Sequence, residues 1–221
     1  MGIAQLDKKN LTLQIIASVF FYGEAASEEL SVTVARDIQE HWNKSQGTVV
    51  IKNILYKTVF TINGIFAPHL TPADVYENDN PQNNYFRIEE FCALHISFTD
   101  GIGCNTGYLK LDNLLHNSTT AAHEFGHTLG LIHPHQLDIR GAGTPGIMYP
   151  RGTITDPHFQ YDPAAAPATK GGTLNPIYRK VLQQDVNNLQ LHKLSFNKNG
   201  KATIGKFSSL WHSNHRPADN H

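Results

Sequence analysis

The run His123-Glu124-Phe125-Gly126-His127-Thr128-Leu129-Gly130-Leu131-Ile132-His133 holds three imidazoles and a carboxylate in one short stretch. His123 and His127 are four positions apart, so on an α-helix they share a face, one turn from each other, and can grip one metal ion. Glu124 lies beside the first of them, where its carboxylate can reach a water on that metal. Gly130 accepts backbone angles that a side chain would forbid, so it can end the helix and turn the chain back. That turn brings His133 round as a third nitrogen ligand. Three protein nitrogens leave a fourth tetrahedral position open, which separates a catalytic zinc from a structural one. The spacing therefore predicts one zinc on His123, His127 and His133. Such an ion lowers the pKa of its water to about 7, and Glu124 is placed to act as general base and then general acid. A bare H-E-x-x-H occurs by chance on amphipathic helices; the added glycine and third histidine each have a geometric task and make that account poor.

With these residues the chain resembles the metzincin metallopeptidases, whose signature is H-E-x-x-H-x-x-G-x-x-H followed by a methionine turn. Gly146-Ile147-Met148-Tyr149-Pro150 supplies the second half, with Met148 fifteen positions after His133. Ala121-Ala122 before the first histidine and Met148-Tyr149-Pro150 resemble matrixins, while Pro134 after the third histidine is closer to serralysins. The resemblance implies a zinc endopeptidase acting on proteins or peptides. It makes Met148 a hydrophobic floor beneath the imidazoles and not a ligand. Serralysins use a tyrosine two positions past the methionine as a retractable ligand; Pro150 stands there, so Tyr149 is not assigned to the metal. The run Gln184-Asp185-Val186 is similar to the last matrixin helix, and implies that Asp185 hydrogen-bonds the methionine turn from behind. Matrixins have a second aspartate where this chain has Gln184; that residue anchors the amino terminus freed by propeptide removal. In the wall of the pocket after the cut site, Pro150-Arg151-Gly152 replaces the matrixin Pro-x-Tyr, so its preference does not follow from the family. One zinc is expected; calcium is left unassigned.

The chain has 221 residues, enough for one compact domain or two small lobes, and a 40% apolar fraction, enough for a core. A formal charge of −1 gives no reason to expect nucleic acid or a charged membrane surface. No window reaches the roughly 18 uncharged apolar residues of a spanning helix, and Leu13–Tyr22 reads as a core strand, with a signal peptide as the minor alternative. A monomer is expected. An active protease without a latency device is a hazard inside its own cell, so a secreted or exported protein is the expectation. Cys92 and Cys104 could pair or stay as buried thiols. His135 follows the third ligand and reads as a solvent-facing loop residue; His116, His158, His212, His215 and His221 have no ligand spacing.

The fold class expected is α+β, a metzincin-like peptidase fold with a twisted, mostly parallel sheet, an active-site helix and a small C-terminal subdomain. The catalytic domain spans 1–192, with an upper lobe of about 1–130 and a lower lobe of about 131–192, and 193–221 is a tail. Residues 11–22 read as a buried strand. Ser27 starts a helix to about Asn43, with Leu30, Val34, Ile38 and Trp42 on one face. Thr48–Tyr56 and Lys57–Phe66 read as strands. The stretch 68–84 reads as a loop with room for a short helix, and Cys92–Thr99 as a core strand. Gly107–Asp112 alternates, reads as a half-buried strand, and is the candidate edge for an extended substrate. Ser118 or Thr119 caps the metal helix, which runs to Leu129. Pro157–Pro176 reads as a surface loop, Ile177–Leu191 as a helix, and Asn199-Gly200 as a hairpin turn between 194–196 and 202–204. The last ten residues read as mobile, with Trp211 and Phe207 docked on the domain.

Two other functions compete with the endopeptidase. One is a zinc hydrolase toxin or effector acting on a cell-wall peptide or amide. The other is a non-catalytic binding module stabilised by the metal, against which Glu124 argues, because a structural site has no use for that carboxylate.

Overall fold

The computed structural model describes residues 1–115, 118–161, 173–208 and 210–216; His116, His221 and most of the loop expected at 157–176 lie outside them. The chain starts with an antiparallel hairpin of β1 (Gly2–Asp7) and β2 (Thr12–Tyr22). Its turn is held by the Asp7 carboxylate, which accepts from the N–H groups of Lys9 and Asn10. β2 alternates buried and half-buried side chains along its length. It pairs in parallel with β4 (Ile54–Phe66) on one edge. On the other edge it pairs first with β1 and then, from Ser18 onward, in parallel with β5 (Asn83–Glu89).

β5 in turn pairs in parallel with β7 (Thr106–Lys110). The four central strands thus run one way in a curled, mostly parallel sheet. Antiparallel β3 (Thr48–Ile51) closes one edge and the two-residue β6 (Phe98–Thr99) the other. β3 and β4 are joined by Lys52 and Asn53, both at positive φ as a tight twisted hairpin requires.

Helix α1 (Glu28–Lys44) lies across β4, capped by the Ser27 hydroxyl, which accepts from Leu30 N–H. Val34, Ile38 and Trp42 form its buried stripe. Trp42 joins α1 to α3 (Thr120–Thr128). Its ring packs at 4.9 Å on Phe60 and edge-on to Phe125, and its Nε1–H donates to Ala122 O at 3.1 Å. The main core lies between the sheet and these two helices. A short α2 (Pro72–Tyr76) carries a full capping box from Thr71 and Asp74.

Several expectations are corrected. β5 was not foreseen: its polar residues hid it, and they are buried in pairs, with Arg87 bonded to Glu89 at 2.6 Å and Asn84 hydrogen-bonded to main chain. The strand expected at Cys92–Thr99 shrinks to Phe98–Thr99, and Leu94 and Ile96 are exposed. β7 is buried rather than half-buried and is covered by β6, so it is not the open edge. The helix expected over 177–191 is reduced to α4 (Gln183–Asn188). After Asn199-Gly200, β8 (Lys201–Ile204) pairs with β1 and not with 194–196. The tail is docked as far as His215: Trp211 stacks on Tyr22 at 4.7 Å, His215 stacks on Tyr108, and His212 bonds Asp100, while Phe207 stays exposed. Cys92 and Cys104 are free buried thiols. Among the described residues no helix is long and apolar enough to cross a membrane.

Candidate metal centre

Helix α3 is almost entirely buried, so its positions are fixed by packing on every side. Its start uses Ser118, whose hydroxyl accepts from Thr120 N–H at 3.2 Å; Thr119 instead donates to Pro176 O. Its end is set by Gly130, at φ +100°. Gly130 N–H bonds His127 O and Leu131 N–H bonds Gly126 O, both at 3.0 Å, which is the paired bonding of a Schellman turn. The helix therefore stops one residue after His127 and the chain doubles back.

His123, His127 and His133 come together, and their candidate ligand atoms form a single group. His123 Nδ1 lies 2.8 Å from Ile147 O and His127 Nδ1 2.8 Å from Leu131 O. Both Nδ1–H groups donate to main chain, which leaves each Nε2 as an acceptor. These two Nε2 atoms lie 3.0 and 3.1 Å from His133 Nε2. His133 has at most one N–H to offer there, so hydrogen bonding alone cannot satisfy three converging nitrogens. A cation can. The spacing is close to the edge, about 3.3 Å, of a tetrahedron with metal–nitrogen bonds of about 2.0 Å.

Burial is the main cause that holds all three imidazoles below their ordinary pKa, His127 at about 4. They stay neutral, and able to ligate, further into acid than free histidine does. The Arg179 guanidinium adds to this at each of them.

Glu124 points away from solvent, 6% exposed, and its Oε2 accepts from Thr99 Oγ1 at 3.0 Å. Burial pushes its pKa up to about 7, against the opposing pull of the Thr99 hydroxyl and Arg179. Met148 is buried beneath α3 against Gly126, where a Cβ would come within 2.5 Å of its Sδ. Asp185 is buried behind the turn and accepts from Leu182 N–H at 2.7 Å and from Ile147 N–H. Gly146 lets it approach, since a Cβ there would sit 3.3 Å from Asp185 Oδ1. Asp185 thereby fixes the carbonyl of Ile147 that orients His123.

Two residues of the site were not foreseen. Thr99 is separated from Glu124 by 25 positions and carries no spacing signal. Arg179 is 4% exposed; its Nε donates to Thr119 Oγ1 at 2.9 Å, and its Nη1 donates to Tyr149 O and lies 3.0 Å from His123 Nδ1. A lone arginine in the first turn of the helix expected over 177–191 reads as solvated, so nothing in the chain advertised it. His135 is exposed and outside the group, as its loop position predicts. A cleft of about 420 Å³ is lined by the three histidines and Glu124, with Ile96, Phe98 and Thr99 and with Pro150, Arg151 and Arg179.

No family model matches this chain, and no curated protein matches it. Four solved chains do match. One, described as the structure of a chaperone-substrate complex, is 13% identical with a TM-score of 0.42, over 83% of this chain and 34% of its own length. This chain thus spans about a third of that one.

Proposed function

We propose that this chain is a zinc-dependent endopeptidase of the metzincin kind. The observation that supports this best is the meeting of three neutral imidazole nitrogens with a buried glutamate directly beside them, at the wall of one cleft. Three imidazoles with one position left open are a donor set suited to catalytic zinc. When bound, zinc supplies Lewis acidity and a water whose pKa falls to about 7.

The chain's own residues do the rest. Glu124 takes the water's proton and, once protonated, gives it to the leaving amine. A proton affinity near neutrality suits both halves of that exchange. Thr99 holds one oxygen of Glu124, so the carboxylate cannot swing away. Asp185 and Met148 hold the ring of His123 and the helix from below. An extended peptide would lie against the short outer strand β6 and the exposed segment before it, which line the cleft.

The test is metal content by elemental analysis together with casein cleavage, for the wild type and Glu124→Gln. One zinc in each, with turnover reduced at least about 100-fold in the variant, is the expected result. Equal cleavage by both would remove Glu124 from the mechanism. Absence of zinc from both would remove the metal reading.

A further inference from the structure

Arg179 is a buried cation with no carboxylate at ion-pairing distance among the described residues; Glu124, held by Thr99, acts on it only from further away. Nε and Nη1 are used, but Nη2 makes no hydrogen bond, and Arg179 forms no ion pair, among the described residues. Burial lowers its pKa to about 10, opposed by the Glu124 carboxylate and added to by Arg151. Arg151 is exposed and held by Asn113, with one N–H on Asn113 Oδ1 at 3.0 Å. Both line the cleft, whose one acidic side chain is Glu124, already engaged by Thr99. A buried charge left unpaired costs several kcal/mol, and a guanidinium with an open N–H edge is shaped for a planar anion. Nothing intramolecular among the described residues fills that role.

Building on the endopeptidase reading, we infer that Arg179 and Arg151 select a carboxylate on the peptide substrate, from an aspartate or glutamate side chain or from a free C-terminus. Arg179 forms the buried, desolvated half of the subsite and Arg151 the exposed half at its rim. The subsite gives the cleft a preference that the departure at Gly152 left open.

The test is binding of three labelled peptides to zinc-loaded Glu124→Gln protein. All share a neutral sequence: one has an internal Glu and an amidated end, one an internal Gln and an amidated end, one an internal Gln and a free acid end. A charge-assisted hydrogen bond corresponds to about 10- to 100-fold in affinity, so one acidic peptide should bind at least tenfold tighter than the neutral one. Arg151→Gln, which alters only an exposed side chain, should lose most of that preference. Arg179→Lys, which keeps the charge but not the fork, should reduce it too. Preference for the internal Glu identifies a side chain as the source; preference for the free end identifies a terminal carboxylate. Equal binding of all three, or a preference untouched by Arg151→Gln, overturns the inference. Casein cleavage by the wild type is scored separately. Casein cut without acid preference defeats the subsite and spares the endopeptidase. Acid preference with no substrate cut does the reverse.

Discussion

At the scale of single residues, the converging histidines and Glu124 were legible because His123, Glu124 and His127 lie within about one turn of helix and His133 follows the glycine that turns the chain back, a spacing that a sequence displays directly. Thr99 and Arg179 were not, because they reach the site through folding from distant segments. The same burial that conceals them gives Glu124 and His127 opposite signatures in pH. Glu124 is protonated in the fold up to about 7 but only to about 4.5 when unfolded, so its contribution to stability is present at low pH and is lost as pH rises through 7. His127 is the reverse: its ring is neutral in the fold down to about 4, so stability is lost as pH falls from about 6.5 towards 4. In metal-stripped protein the two oppose each other. Replacing Glu124 by Gln separates them: the variant's stability relative to wild type should rise as pH goes from about 4.5 to about 7, measured by denaturant titration. A difference flat in pH would mean that Glu124 is not desolvated. Gly126→Ala is a second residue-scale case. Its Cβ would meet Met148 Sδ at 2.5 Å and Trp42 at 3.3 Å, so the protein should lose about 1–3 kcal/mol of stability in the same assay.

At the scale of elements, β2, α1 and the metal helix could be read from periodicity, since each has one clear apolar pattern. β5 could not, because buried Asn84 and Glu89 and half-buried Arg87 mimic a surface strand; Asn84 is satisfied by main chain and Arg87 by Glu89. The run Leu94–Ile96 misled in the other direction, being apolar and exposed. The Schellman turn is the element on which the approach of His133 to the other two histidines depends. A Cβ at Gly130 would touch nothing within 4 Å, so Gly130→Ala isolates the backbone cost of φ +100°. That variant should lose about 1–2 kcal/mol of stability and bind zinc more weakly than wild type, as read by competition with a chelator. Unchanged zinc affinity would show that His133 does not need the turn.

At the scale of the whole molecule, the general order of strands and helices was legible, but its closure was not. The tail reads as polar and unpatterned, yet it anchors by single contacts: Trp211 on Tyr22, His215 on Tyr108, and His212 on Asp100 at 2.9 Å. Asp100 follows Thr99 directly, so the tail braces the strand that holds Glu124. His212→Ala should leave the buried Asp100 carboxylate short of a partner, costing about 1–3 kcal/mol, with a fall in casein cleavage larger than the loss of folded protein explains. Activity that follows the folded fraction alone would make the tail a purely structural brace.

Gly2 pairs with Ile204, so the first strand waits for a partner made some two hundred residues later. At ordinary rates of translation that wait lasts roughly ten to forty seconds. Over its last third, once His133 has been added, the histidines and Glu124 exist as covalent chain while the brace on β6 has yet to be made. The order of synthesis therefore acts as a clock: the wall of the cleft is complete only once the chain has been made through the segment that braces it.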